Sequence, residues 1–106
     1  MLGPRGLDLR AMVPWTRAER TRGLLGRSGI DADEALLLER TRSIHTFGMH
    51  FPIGVALLDR DLVVRSVRTV RPGRLVLPRL GTRQILECAK GVDLHPGDRL
   101  RVVETG

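Results

Sequence analysis

The sequence predicts a mainly β domain, a compact barrel- or sandwich-like antiparallel arrangement of about six or seven short strands with one N-terminal helix packed on it. The apolar runs are short and separated by turn residues, which is typical of strands. Residues typical of a helix N-terminus are found in one segment, after Pro14. The chain has 106 residues, the length of one domain, so we expect residues 1–106 to fold as a single unit.

The N-terminal part predicts a strand, the helix and a second strand. Residues 7–13 alternate loosely and form the first strand, which Pro14 ends because proline lacks the N–H of a paired strand. Thr16 and Glu19 have the spacing of a capping box, so we expect a helix that ends near Ser28. The short apolar run 35–38 predicts the next strand.

The middle of the chain predicts a β-hairpin. Residues 53–58 are apolar or glycine throughout, which indicates a strand buried on both faces. The segment 59–61 reads as a tight turn, and 62–70 as the partner strand. Two prolines and two glycines make 71–82 mostly loop. The remaining segments predict a strand, a turn and a last strand, in that order: 84–88, 91–97 and 98–104.

The chain is basic, with 18 Lys+Arg against 12 Asp+Glu and a formal charge of +6. This charge suggests a phosphate-bearing partner. The aromatic residues for base stacking are scarce, and no nucleic-acid-binding motif is visible. On a flat strand Arg65 and Arg71 share one face and Arg68 takes the other, so the arginines of 60–83 form no single stripe. We therefore expect no nucleic-acid partner.

The single cysteine, Cys88, excludes an intrachain disulfide and suits a reducing compartment. No apolar run reaches the length of a membrane span, and the charged N-terminus lacks the apolar region of a signal peptide. We expect a cytoplasmic protein without membrane contact. We also expect no metal and no cofactor, because His45 and His50 would point to opposite faces of one strand and no pair of ligands has helical spacing.

Glu87 lies inside an apolar strand, where a carboxylate needs a partner. We favour a structural role, in which Arg22 or Arg27 pairs with Glu87 and fastens the helix to the sheet. The alternative is that Glu87 forms the floor of a pocket for a polar or anionic ligand. For Cys88, the neighbouring Lys90 would favour a thiolate, whereas cysteine also serves as a small buried hydrophobe.

Three motifs resemble those of an uncharacterised family, domain of unknown function 192. They are RGLLGR at 22–27, HTFGMHFPI at 45–53 and a C-terminal group around 85–98. The resemblance implies a compact, mostly β domain and no established activity. One departure is Gly54, where the family pattern usually has an aspartate. We assign a structural role to seven residues of these motifs: Arg22, Gly23, Arg27, Pro52, Gly91, Gly97 and Asp98.

The leading hypothesis is a non-enzymatic module, a monomer or weak dimer, that binds an unknown small molecule or partner protein. The alternative is a small hydrolase or metal-assisted enzyme that uses the region of His45, Glu87 and Cys88. A weak nucleic-acid binder that uses the arginines of 60–83 ranks third. For the leading hypothesis the candidate ligand-binding residues are His45, Thr46, Met49, His50 and Glu87.

Overall fold

The computed structural model describes residues 1–14 and 16–103, and these residues form seven strands and two short helical segments. The helical segments are a 3-10 turn at Pro4–Gly6 and α1 at Arg17–Arg22. The strands are β1 (Arg10–Met12), β2 (Glu34–Glu39), β3 (Ile44–His45), β4 (Ile53–Leu58), β5 (Val64–Val70), β6 (Leu75–Val76) and β7 (Gln84–Cys88).

Five strands form one sheet in the order β1-β2-β7-β4-β5, and β3 pairs with β6 in a separate two-stranded sheet. β1 runs parallel to β2, while the other pairs are antiparallel. The mainly β class is therefore confirmed, but the described strands close no barrel and the main sheet is mixed. The long connection from β1 through α1 to β2 explains the parallel pair, because parallel neighbours need a crossover.

β4 is buried at every position, as its continuous apolar run predicts. Its alternate side chains enter two cores, one on each face of the sheet. Ala56 and Leu58 belong to a first core, together with residues near both ends of the chain, Leu9 and Leu100 among them. Val55 and Leu57 belong to a second core, which is covered by the segment after α1 and by the β3–β6 sheet through Leu24, Met49 and Val76.

The predicted N-terminal helix packed on the sheet is wrong. The capping box does form, because the Thr16 hydroxyl accepts from the Glu19 N–H at 3.0 Å and the Glu19 carboxylate accepts from the Thr16 N–H at 3.3 Å. However, α1 has only six residues, less than two turns, and Gly23 ends it with a φ of 48°.

No helix in the described part of the chain is long and apolar enough to cross a membrane.

The hairpin turn at 59–61 is present, and the Asp59 carboxylate accepts from the Asp61 N–H at 2.8 Å and from the Val63 N–H at 3.1 Å. The predicted last strand at 98–104 is not observed in the described residues, and Glu104 lies outside them. This segment makes isolated bridges only, from Arg99 to Val63 and from Arg101 to Leu2. Two different partners, each paired at one residue, give it no continuous ladder.

Candidate functional site

Glu87 lies on β7, the central strand of the five-stranded sheet. It is in register with Leu36 of β2 on one side and with Val55 of β4 on the other. Residues that lie opposite each other across strands share a face, and both neighbours belong to the second core. The Glu87 carboxyl group therefore lies on the second-core face, and the residue is only 5% exposed.

The Glu87 carboxyl group has no protein partner in the described part of the chain that satisfies its buried oxygen, Oε1. Burial raises the pKa of Glu87 to about 7.

The predicted pairing of Glu87 with Arg22 or Arg27 is wrong. Arg27 donates instead to both carboxylate oxygens of Glu34, at 2.8 and 2.9 Å, because the chain has left α1 and turned toward the start of β2. The hydrogen bonds between the two side chains raise the pKa of the Arg27 guanidinium and lower the pKa of the Glu34 carboxyl group.

A cleft of about 450 Å³ lies above Glu87, and we call it the Glu87 cleft. Four chain segments form it: the end of α1 with the turn that follows, the connection from β2 together with β3, the segment after β3 that holds Met49, and β7 at the floor. Its walls combine apolar side chains with arginines. The lining residues are Arg22, Gly23, Leu24, Leu25, Arg40, Thr41, Arg42, Ser43, Ile44, His45, Met49 and Glu87.

The structure brings three of the five candidate ligand-binding residues together, since His45, Met49 and Glu87 all line the cleft. Their surroundings differ: Met49 is buried, and the exposed His45 ring stacks on Phe47 with a centroid distance of 5.1 Å. Two of the family-motif residues to which we assigned structural roles, Arg22 and Gly23, line the cleft as well.

Thr46 and His50 do not line the Glu87 cleft. The buried Thr46 hydroxyl donates to the Arg71 carbonyl at 2.6 Å and accepts from the Arg74 N–H at 2.9 Å. Thr46 thus joins the turn after β3 to the turn before β6, which is a structural role. His50 is exposed in the bend that precedes β4.

The other motif residues hold turns or chain ends in place. Pro52 directly precedes β4, and Gly91 and Gly97 have positive φ values of 85° and 94° in turns, where glycine is favoured. The Asp98 carboxylate accepts from the Arg5 guanidinium and, at 2.8 Å, from the His95 N–H. Arg5 lowers the pKa of Asp98 through this hydrogen bond.

Cys88 points away from the Glu87 cleft, because consecutive residues of a strand face opposite sides. Its side chain belongs to the first core, and its thiol donates to the Gly54 carbonyl at 3.7 Å. Burial, with a smaller effect of Glu87, raises the pKa of this thiol to about 11. His45, Glu87 and Cys88 therefore form no common site. Within residues 1–14 and 16–103, no group of three or more His, Cys, Asp or Glu residues is arranged to hold a metal ion.

Some arginines of 60–83 lie closer together than a flat strand predicts. Arg68, Arg71 and Arg74 line one groove of about 370 Å³. β5 ends at Val70, and the turn that follows brings Arg71 and Arg74 to the side of Arg68. Arg65 lies elsewhere, 3.9 Å from the Asp59 carboxylate.

Residues 40–43 supply four of the cleft residues, and they are not among the candidate site residues predicted from the sequence. This segment follows a buried strand directly and precedes the HTFGMHFPI motif, and it consists of two arginines alternating with Thr41 and Ser43. Polar residues in a short loop at the end of a buried strand are a recognisable signal, because loops on a rigid sheet often carry binding residues.

Comparison with known proteins bears on the fold and on the family. A crystal structure of a protein of unknown function from Novosphingobium aromaticivorans DSM 12444 is similar, with a TM-score of 0.78 and 19% identity, over 92% of this chain and 79% of that one. A search of curated proteins found no match. The model of the family DUF192, described as uncharacterized ACR, COG1430, matches residues 2–102, which confirms the resemblance of the three motifs. The chain belongs to the domain of unknown function 192 family.

Proposed function

We propose that this domain is a non-enzymatic module that binds a small molecule in the Glu87 cleft. The observation that carries the proposal is the buried Glu87 oxygen without a partner among the described residues. A buried polar atom that makes no hydrogen bond costs about 1–3 kcal/mol. A ligand that donates a hydrogen bond to Glu87 would remove this cost. The cleft volume of about 450 Å³ is within the range of small-molecule sites.

The lining of the cleft supports the same proposal. Leu24, Leu25 and Met49 supply apolar walls, and the arginines supply donors. An apolar cavity with a few directed polar groups is the usual composition of a ligand site. A protein partner is the less favoured occupant of the cleft, because the carboxyl group lies at the floor of a concavity, where only a narrow group of a partner would reach it.

The runner-up is a hydrolase that uses Glu87 and His45. One observation favours it, since a pKa of about 7 lets Glu87 take up or release a proton near neutral pH. Covalent catalysis also needs a nucleophile hydrogen-bonded to a base. Ser43 and His45 both line the cleft, but no hydrogen bond joins either to the other or to Glu87 in the described structure. Cys88 faces the other core.

Nucleic-acid binding through the arginines of 60–83 stays third. The groove of Arg68, Arg71 and Arg74 favours an anion, but it has no buried polar group without a partner. Salt-dependent retention on a polyanion column that an Arg68→Gln/Arg71→Gln double variant abolishes would raise this candidate above the first. A cytoplasmic location and a monomeric or weakly dimeric state complete the proposal, and the lone cysteine supports the reducing compartment.

Fragment screening by NMR tests the main proposal. We expect fragments to shift the amide signals of residues 22–25, 44–45 and 87 in the ¹⁵N-labelled protein. Glu87→Leu should abolish these shifts and still fold, since an apolar side chain replaces an unpartnered buried carboxyl group. Glu39→Leu is the matched control, because Glu39 lies on neighbouring β2 with an exposed side chain outside the cleft. Binding that Glu87→Leu leaves intact, or a screen without any binder at these amides, would contradict the proposal.

A further inference from the structure

The Glu87 cleft has guanidinium groups and a carboxyl group at two different depths. Glu87 forms the floor and is 5% exposed. Arg22, Arg40 and Arg42 line the same cleft as exposed residues, so their guanidinium groups belong to its solvent side. A ligand in the cleft would therefore meet cations near the solvent and a carboxyl group at the bottom.

The three arginines have donors to offer. Among the described residues none of them forms an ion pair with a carboxylate, whereas Arg5, Arg10 and Arg27 each do. Arg42 uses one nitrogen, Nε, to donate to the Thr82 carbonyl at 3.3 Å, which anchors the side chain and leaves its terminal nitrogens. Guanidinium groups bind carboxylates and phosphates with paired hydrogen bonds.

Resting on the proposed function, we propose that the ligand is a small zwitterion of the amino-acid kind, with its ammonium group at Glu87 and its anionic group at the arginines. A purely anionic ligand would satisfy the arginines, but it would leave the buried Glu87 oxygen without a hydrogen-bond donor or would place a second negative group beside it. A purely cationic one would satisfy Glu87 and face like charges at the mouth. Leu24, Leu25 and Met49 favour an apolar side chain on the ligand.

Four probes of one shape separate these cases: leucine, isocaproate without the amine, isoamylamine without the carboxylate, and isoamyl alcohol without either charge. We expect NMR titration at the cleft amides to give leucine at least about tenfold tighter binding than each of the other three, the ratio expected for one charged contact. Glu87→Gln should bring leucine close to isocaproate in affinity. Arg22→Gln/Arg40→Gln should lower the affinity of leucine toward that of isoamylamine, since Arg42 alone then remains for the anionic group.

The control for total charge is Arg79→Gln/Arg83→Gln, which removes two exposed arginines outside the cleft and should leave leucine binding unchanged. Equal affinity for all four probes would overturn the zwitterion proposal while the cleft stays a binding site. The same holds if none of the four binds but other fragments do. The proposed function itself fails if neither the probes nor the fragment screen shift the cleft amides, or if Glu87→Leu leaves fragment binding intact.

Discussion

Glu87 and Cys88 are consecutive residues of β7, but their side chains lie on opposite faces of the sheet, one at the floor of a cleft and the other in a core. Burial raises the pKa of both groups, to about 7 for Glu87 and to about 11 for Cys88. The result differs in kind: the carboxyl group can change its charge near neutral pH, whereas the thiol stays protonated. The group that can change its charge near neutral pH therefore lies on the second-core face of the sheet.

Glu87 should make the stability of the domain depend on pH. Its folded-state pKa of about 7 is above the ordinary value of 4.5, so the folded protein retains a proton that the unfolded chain releases in between. Glu87 therefore opposes folding increasingly as the pH rises through this window, by roughly 3 kcal/mol above it. We expect Glu87→Gln to gain stability relative to the wild type between about pH 5 and about pH 8, measured by urea unfolding.

The matched control for this measurement is Glu39→Gln, which removes an exposed carboxylate from the neighbouring strand. Its free energy of unfolding should follow the wild type across the same pH range. Parallel profiles for the Glu87→Gln variant and the wild type would show that the Glu87 pKa is not raised by folding.

Cys88 should be inert in the folded protein. Its thiol is buried in the first core and its pKa is raised to about 11, so thiolate is scarce and access is closed. We expect a disulfide-exchange reagent to react with Cys88 only after denaturation. Rapid reaction of the native protein would contradict the prediction and show that the thiol is accessible in the folded state.

The Thr46 hydroxyl should stabilise the contact between the turn after β3 and the turn before β6. Thr46→Val removes a hydroxyl that bonds the Arg71 carbonyl and the Arg74 N–H, and we expect it to lower the free energy of unfolding by about 2 kcal/mol. Thr46→Ser keeps the hydroxyl and should lose much less. If both variants are equally stable, the hydroxyl contributes nothing to the loop.

Gly54 lies on β4 at a position where the space for a side chain is closed. A Cβ atom at Gly54 would lie 2.9 Å from the Ala89 carbonyl oxygen and 3.0 Å from the Cys88 Sγ. We expect Gly54→Ala to lower the free energy of unfolding by about 1–3 kcal/mol, the usual range for overpacking.

Gly29→Ala is the control for Gly54→Ala, because a Cβ atom at Gly29 meets no atom within 4 Å and its φ is not positive. Thermal unfolding should show little change, or a small gain from the reduced freedom of the unfolded chain. A Gly54→Ala protein as stable as the Gly29→Ala protein would mean that β4 and β7 can separate to admit a side chain.

The sequence by itself determined the strands with strong local patterns. The run 53–58 predicts β4 and its burial on both faces, 84–88 predicts β7, and Thr16 with Glu19 predicts the capping box. Each of these features depends on residues a few positions apart, whose apolar periodicity or hydrogen bonding is visible without any partner. The family motifs were visible in the same way.

Only the tertiary structure decided which residues meet. The end of α1, the segment 40–43 and β7 are distant in the chain, and pairing of β7 between β2 and β4 brings Glu87 beneath the other two. The local sequence also does not predict the partner of Arg27, because the position of the Arg27 side chain depends on where α1 ends. Helix length and strand order follow from the packing of apolar faces, and that packing sums contacts over the whole chain.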